Sequence, residues 1–125
     1  MKFWFPVIGY SGIIFYVSSI PDLRAPLAVG NFDKVCHFFE YLPFGFLLIR
    51  AITEGDKRQL NVKLWITVVV LASFYALSDE FHQHFVVGRT CSVWDAVADT
   101  VGAFGGVWIY AHFKQKRRLK TNGIN

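Results

Sequence analysis

Positions 64–76 read LWITVVVLASFYA, without a charge, a proline or a glycine. Four apolar segments of this kind can be traced along the 125 residues, at about 3–20, 35–52, 64–83 and 93–113. Each approaches the roughly 20 residues that an α-helix needs to cross a bilayer. In hydrocarbon the backbone must satisfy its own N–H and C=O groups, so only helices or a closed barrel can span it. These runs are too long and too continuous for barrel strands. The expected fold is therefore an all-α membrane protein, a four-transmembrane-helix bundle.

Composition agrees. The chain is 54% hydrophobic and 18% aromatic, and only 18% of its residues are charged. Soluble domains carry about 25% charged residues. Thirteen Phe and four Trp are more than so small an interior can hide from water. Pro6 suits the first turn of the first segment, and Pro21 and Pro26 end it and shape the loop that follows. Pro43 falls inside the second segment, where a kink is expected. The first segment reads as a span and not as a cleaved leader, because VSSIPD lacks a small-x-small cleavage site.

Lys and Arg are distributed unequally. With both termini cytoplasmic, the inner side holds Lys2, Arg50, Lys57, Arg58, Lys63, Lys114, Lys116, Arg117, Arg118 and Lys120. The outer side holds only Arg24, Lys34 and Arg89. Cytoplasmic loops carry the excess of basic residues, so both ends are expected inside. Residues 114–125 read as a basic cytoplasmic tail, with a short mobile extension from Gln115 onward. Beside membrane spans such a tail marks the inner face and is drawn to anionic lipid; no nucleic-acid partner is expected.

The same orientation collects the remaining ionisable groups at the outer face. These are Asp33, Lys34, His37, Glu40 and Tyr41 on the second segment, then Ser78, Asp79, Glu80, His82 and Gln83 on the third. Arg89 lies in the outer loop, and Asp95 and Asp99 begin the fourth segment. At 100° per residue, Asp33, His37, Glu40, Tyr41 and Phe44 share one helical side. Tyr75, Ser78, Asp79, His82 and Gln83 share a sector of the third helix, with Glu80 just beyond it. Asp95, Asp99, Gly102 and Gly106 form a stripe, and the GxxxG spacing lets another helix approach closely. Charged groups in a span are costly unless they face the bundle interior or a watery cavity. Single polar residues at helix ends also serve as caps or interhelical glue, as Asp33 and Asp95 would. Six carboxylates, two histidines, a glutamine and an arginine at one end favour a functional site.

The stretches DKVCHFFEYLPFGFLL and SDEFHQHFVVGRTCSVWDAVADTVGAFGG carry a resemblance. They are similar to the VanZ family of small bacterial membrane proteins. That family's pattern is Asp-Lys-x-x-His with a nearby Tyr, then Ser-Asp-Glu-x-x-Gln, Gly-Arg, and Asp-x-x-x-Asn-x-x-Gly. It falls here on Asp33, Lys34, His37, Tyr41, Ser78, Asp79, Glu80, Gln83, Gly88, Arg89, Asp95 and Gly102. Asp99 departs from it, standing where the family usually has Asn. The family takes its name from a glycopeptide-resistance cluster, in which one member gives low-level teicoplanin resistance. The resemblance implies a multi-pass protein of the bacterial inner membrane, linked to the cell envelope.

Three kinds of chemistry remain open. In an enzyme acting on a lipid-linked phosphate or cell-wall precursor, His37 would be general acid or base. Asp79, Glu80 and Asp95 would join it in catalysis. Asp33, Lys34, Tyr41, Gln83 and Arg89 would hold the substrate, Arg89 by its planar fork. Asp79, Glu80, Asp95 and Asp99 would hold a divalent cation such as Mg²⁺. In a binder without chemistry, the same groups would hold a headgroup, a peptidoglycan stem or a glycopeptide. A proton or ion pathway is the third reading, and the apolar inner half of the bundle opposes it. Ser78 is expected to bond its own helix backbone. Cys36 and Cys91 both fall outside, where they could pair in an oxidising compartment. Four short helices make a thin bundle, which leaves room for a homodimer.

Overall fold

A computed structural model describes residues 2–21, 32–54, 58–121 and 123. The chain forms four helices: α1 (Trp4–Ser18), α2 (Phe32–Ile52), α3 (Val62–Gln83) and α4 (Val93–Thr121). No strand occurs among the described residues. Arg24, Pro26 and Lys57 lie outside them.

Local chemistry accounts for most of the helix limits. Asn61 caps α3, its side-chain oxygen accepting the Leu64 N–H at 2.9 Å. Gly88 takes φ +75°, a left-handed conformation that turns the chain between α3 and α4. Asp33 and Asp95 lie in the first turns of α2 and α4, where the helix dipole favours negative charge. Arg50 lies in the last turn of α2, and Arg118 and Lys120 in the last turn of α4. Pro43 sits inside α2, as its place in the second segment implies. One expectation changes. The basic tail is not a loose extension from Gln115, because α4 continues through it to Thr121. Lys, Arg, Gln and Leu are good helix formers, and no Gly or Pro interrupts them before Gly123.

α2 and α4 form the tightest pair, and glycines make the approach possible. A Cβ at Gly102 would overlap the Phe38 carbonyl, and one at Gly106 the Leu42 carbonyl. Gly45 does the reverse, meeting the backbone of Ala103. The expected GxxxG face on α4 is therefore in use, with Gly45 as a counterpart on α2. Around this seam Ile14, Tyr41, Phe44, Leu48, Ile49, Val68, Ala72, Ala76 and Val107 make the core.

Large apolar side chains also cover much of the exterior. Phe5, Ile8, Phe39, Ile66, Phe74, Phe81, Trp94 and Trp108 all point outward and are more than half exposed. α2 and α3 are long and apolar enough to cross a membrane. α1 is apolar over a shorter length of 15 residues. A chain with this much outward-facing hydrocarbon has the surface of a membrane protein. Cys36 is half-buried and Cys91 exposed, and both are free thiols.

Candidate functional site

Acidic and basic side chains meet inside the bundle at the end where α2 and α4 begin and α3 finishes. His37, one turn into α2, is at their centre and is 1% exposed. Its Nδ1–H donates to Asp99 Oδ1 at 2.9 Å. Its Nε2 faces three more carboxylates, from three different helices. Asp33 Oδ1, Glu80 Oε1 and Asp95 Oδ2 each lie 3.9 Å from it. Helical spacing explains the set. Asp33 is one turn before His37 on α2, and Asp95 is one turn before Asp99 on α4. Gly102, one turn beyond Asp99 on α4, lets the α2 backbone close in around it.

Lys34 and Ser92 complete the surround. Lys34 Nζ lies 3.5 Å from Asp95 Oδ1 at the half-exposed rim. The backbone N–H of Ser92 donates to Glu80 Oε2 at 2.8 Å, tying the end of α3 to the start of α4. Glu80 Oε1, Asp99 Oδ2 and the Tyr41 hydroxyl are buried and have no hydrogen-bond partner among the described residues. Buried polar atoms are normally satisfied. Four carboxylates face His37 and Lys34, an excess of negative charge that a low-dielectric interior does not tolerate uncompensated.

Asp79 belongs to a neighbouring group. Ser18 Oγ donates to its Oδ1 at 2.5 Å, and Gln83 Nε2 donates to its Oδ2 at 3.0 Å. Beside it, Ser19 Oγ and His82 Nε2 are hydrogen-bonded at 2.9 Å, and Phe15 stacks on the His82 ring. Arg89 Nη2 donates to the Val17 carbonyl at 2.6 Å. These contacts fasten the end of α1 to α3 and to the loop that follows it. Asp79 and Asp95 are both buried, not turned toward hydrocarbon or solvent.

The expected site residues thus divide. Asp33, Lys34, His37, Glu80, Asp95 and Asp99 meet around one imidazole, with buried Tyr41 close to Asp99. Asp79, Gln83 and Arg89 face the α1 end. Ser78 donates to the Tyr75 carbonyl at 2.7 Å, the backbone bond expected of it. The sequence alone does not mark Ser18 and Ser19, since two serines before Ile-Pro read as ordinary helix-end chemistry.

Two overlapping sets have the spacing of a cation site: Asp33, His37 and Asp95, and His37, Glu80 and Asp99. In each, ligand atoms lie within 4.8 Å of one another. Metal-binding histidines usually donate the other ring N–H to a carboxylate, which fixes the ring and frees one nitrogen. The His37–Asp99 bond has that form. Compared with the set expected from sequence, the geometry adds His37 and Asp33 to Glu80, Asp95 and Asp99, and turns Asp79 toward Ser18.

Comparison with known proteins gives the chain its relatives. Residues 3–114 match the model of the VanZ/LLP1 family. An uncharacterized protein of the fission yeast Schizosaccharomyces pombe is 29% identical over 105 residues. The match takes in 84% of this chain and 59% of the yeast protein, so the chain spans about three fifths of that relative's length. No solved structure matches. A family match over residues 3–114 takes in every helix but the end of α4 and all the residues around His37, so the chain belongs to the VanZ/LLP1 family.

Proposed function

We propose that this protein binds or acts on a lipid-linked phosphate or cell-wall precursor through a divalent cation held at His37. In this reading all four helices span the bacterial cytoplasmic membrane, both termini are cytoplasmic, and the His37 end opens to the outer leaflet. The role is one in the cell envelope, where exposure to glycopeptides would also be felt. The observation that carries it is the His37 imidazole, buried among four carboxylates with its Nε2 3.9 Å from three of them.

The charge balance supports a cation. A divalent ion at Nε2 would offset the excess of carboxylates and give the buried Glu80 oxygen a partner, with Asp99 holding the ring from its Nδ1 side. A mixed nitrogen and oxygen set suits Mn²⁺ or Zn²⁺ better than Mg²⁺, which prefers an all-oxygen shell and keeps its waters. Asp33 and Lys34 are the most accessible members, so they mark the way in. A phosphate would approach there, drawn by the ion and by Lys34. Glu80 or Asp95 would then be placed to accept a proton from an attacking water.

The orientation is supported by the Lys and Arg excess at the opposite end. From Asp95 to Arg117, α4 measures about 33 Å at the α-helical rise, comparable with the thickness of a bilayer core.

A second reading is a closed polar network that holds the helices together without chemistry. The contacts of Ser18, Ser19 and Val17 with Asp79, His82 and Arg89 favour it for the α1 end. The two readings separate by calorimetric titration of Mn²⁺ into the purified protein, with His37→Ala and Glu80→Gln beside the parent. A polyprenyl phosphate is then added with and without Mn²⁺, and binding and phosphate release are followed. Saturable Mn²⁺ binding lost in both variants, with metal-dependent lipid binding, supports the proposal; phosphate release makes the protein an enzyme. Lipid binding that ignores the metal and both substitutions removes the site.

A further inference from the structure

The opposite end of the bundle carries a second feature. Arg50, in the last turn of α2, and Lys114 and Arg117 of α4 line one cleft of about 340 Å³. Phe46, Tyr110 and Phe113 form the rest of its wall, and no acidic residue lines it among the described residues. The wall is fixed by packing. Phe46 meets Tyr110 edge to face, with ring centres 5.4 Å apart, and the Tyr110 hydroxyl is hydrogen-bonded to buried Thr53 at 2.9 Å. Lys114 is buried, donates to the Arg58 carbonyl, and lies 5.9 Å from the Tyr110 ring centre. Arg50 rests over the Phe3 ring at 5.5 Å, and Lys2 stands over the same ring at 5.3 Å. Another cleft on the far side of Lys114 has two cationic residues, Lys114 and Arg118, where this one has three.

From these contacts we infer that the α2–α4 cleft binds the headgroup of an anionic phospholipid. Three cationic side chains around one cleft, with no acid among the described residues of its wall, favour an anion. Two of them are guanidinium groups, whose fork matches phosphate oxygens. The aromatic wall selects an amphiphile: Phe113 is exposed on the outer surface, where an acyl chain would lie. Basic recesses between spans on the cytoplasmic side take lipid phosphates in this way. The cleft stands about 20 Å along α2 from His37, so occupation of one site does not require the other.

Native mass spectrometry of the full chain in detergent tests this. Phosphatidylglycerol and phosphatidylcholine of the same chain length are offered together. The parent protein should retain the anionic lipid at least fivefold over the zwitterionic one. Arg50→Gln with Arg117→Gln should abolish the preference, whereas Lys116→Gln with Lys120→Gln, which removes the same charge outside the cleft, should keep it. Helical circular dichroism and thermal unfolding establish that each variant is folded. If the first pair does not fold, Phe113→Ala takes its place and should weaken retention of the lipid without changing net charge. Equal loss in both charge pairs would overturn the inference, since general attraction to the basic end would then suffice. Inorganic phosphate binding as tightly as the lipid would also overturn it, because the acyl chain would contribute nothing.

Discussion

Asp99 Oδ1 accepts the Nδ1–H of His37 at 2.9 Å, across the seam where α2 and α4 touch. That bond sets which way the imidazole faces and leaves Nε2 aimed at Asp33, Glu80 and Asp95. It also explains the one departure from the family pattern. Asn at this position presents a carbonyl oxygen where Asp presents Oδ1, so it orients His37 equally while removing a negative charge.

Asp99→Asn is therefore expected to fold and to keep His37 in place, whereas Asp99→Leu is not. Hydrogen bonds to charged groups contribute about 1.5–3 kcal/mol, and Leu also leaves a buried imidazole N–H without an acceptor. Thermal unfolding of both variants in detergent checks this. An Asn variant as unstable as the Leu variant would mean that the charge at residue 99, not the orientation, matters.

Gly106→Ala and Gly102→Ala should each destabilise the bundle. The added methyl group would overlap the Leu42 or the Phe38 carbonyl, atoms of the helix backbone that cannot rotate away. Overpacking of this kind costs about 1–3 kcal/mol. Gly9→Ala on α1, where a Cβ meets nothing within 4 Å, is the control and should be neutral or mildly stabilising. Unfolding midpoints that do not distinguish the three variants would contradict the α2–α4 pairing.

Ser18→Ala should loosen α1. It removes the 2.5 Å bond to Asp79 and leaves a buried carboxylate with Gln83 as its remaining side-chain donor of those described here. A loss of about 1–3 kcal/mol is expected. Hydrogen exchange should rise in α1 before it rises in α2 or α4. Ser11→Ala, whose hydroxyl donates to the Ile8 carbonyl of the same helix, should do neither.

Cys91 gives a direct reading of orientation. It is an exposed free thiol in the loop before α4, on the side assigned to the exterior. With Cys36→Ser in place, a membrane-impermeant maleimide should label Cys91 in intact spheroplasts. Labelling that needs permeabilised cells would reverse the topology.

Much of this arrangement was legible in the sequence, and particular residues show why the rest was not. The stripe Asp95, Asp99, Gly102 and Gly106 followed from helical periodicity alone, because one face of one helix is a local property. The division between Asp79 and Glu80 was not local. The two are adjacent and both buried, yet Asp79 turns to Ser18 on α1 while Glu80 turns to His37 and Ser92. Periodicity assigns faces, but it does not say which helix meets them. The tail failed for a different reason. Its apolar pattern ends near Phe113, but helix propensity continues through Lys, Arg, Gln and Leu, so α4 outlasts its hydrophobic part.

The functional account rests on the proposed binding of a divalent ion at His37, and electron paramagnetic resonance of Mn²⁺ reads it directly. In the purified protein, Mn²⁺ should show coupling to a single histidine nitrogen, and ¹⁵N labelling of histidine should shift it. The coupling should vanish in His37→Ala and persist in His82→Ala, whose ring stacks on Phe15 near α1. Manganese that reports water ligands alone, or a nitrogen signal that survives His37→Ala, would contradict the account.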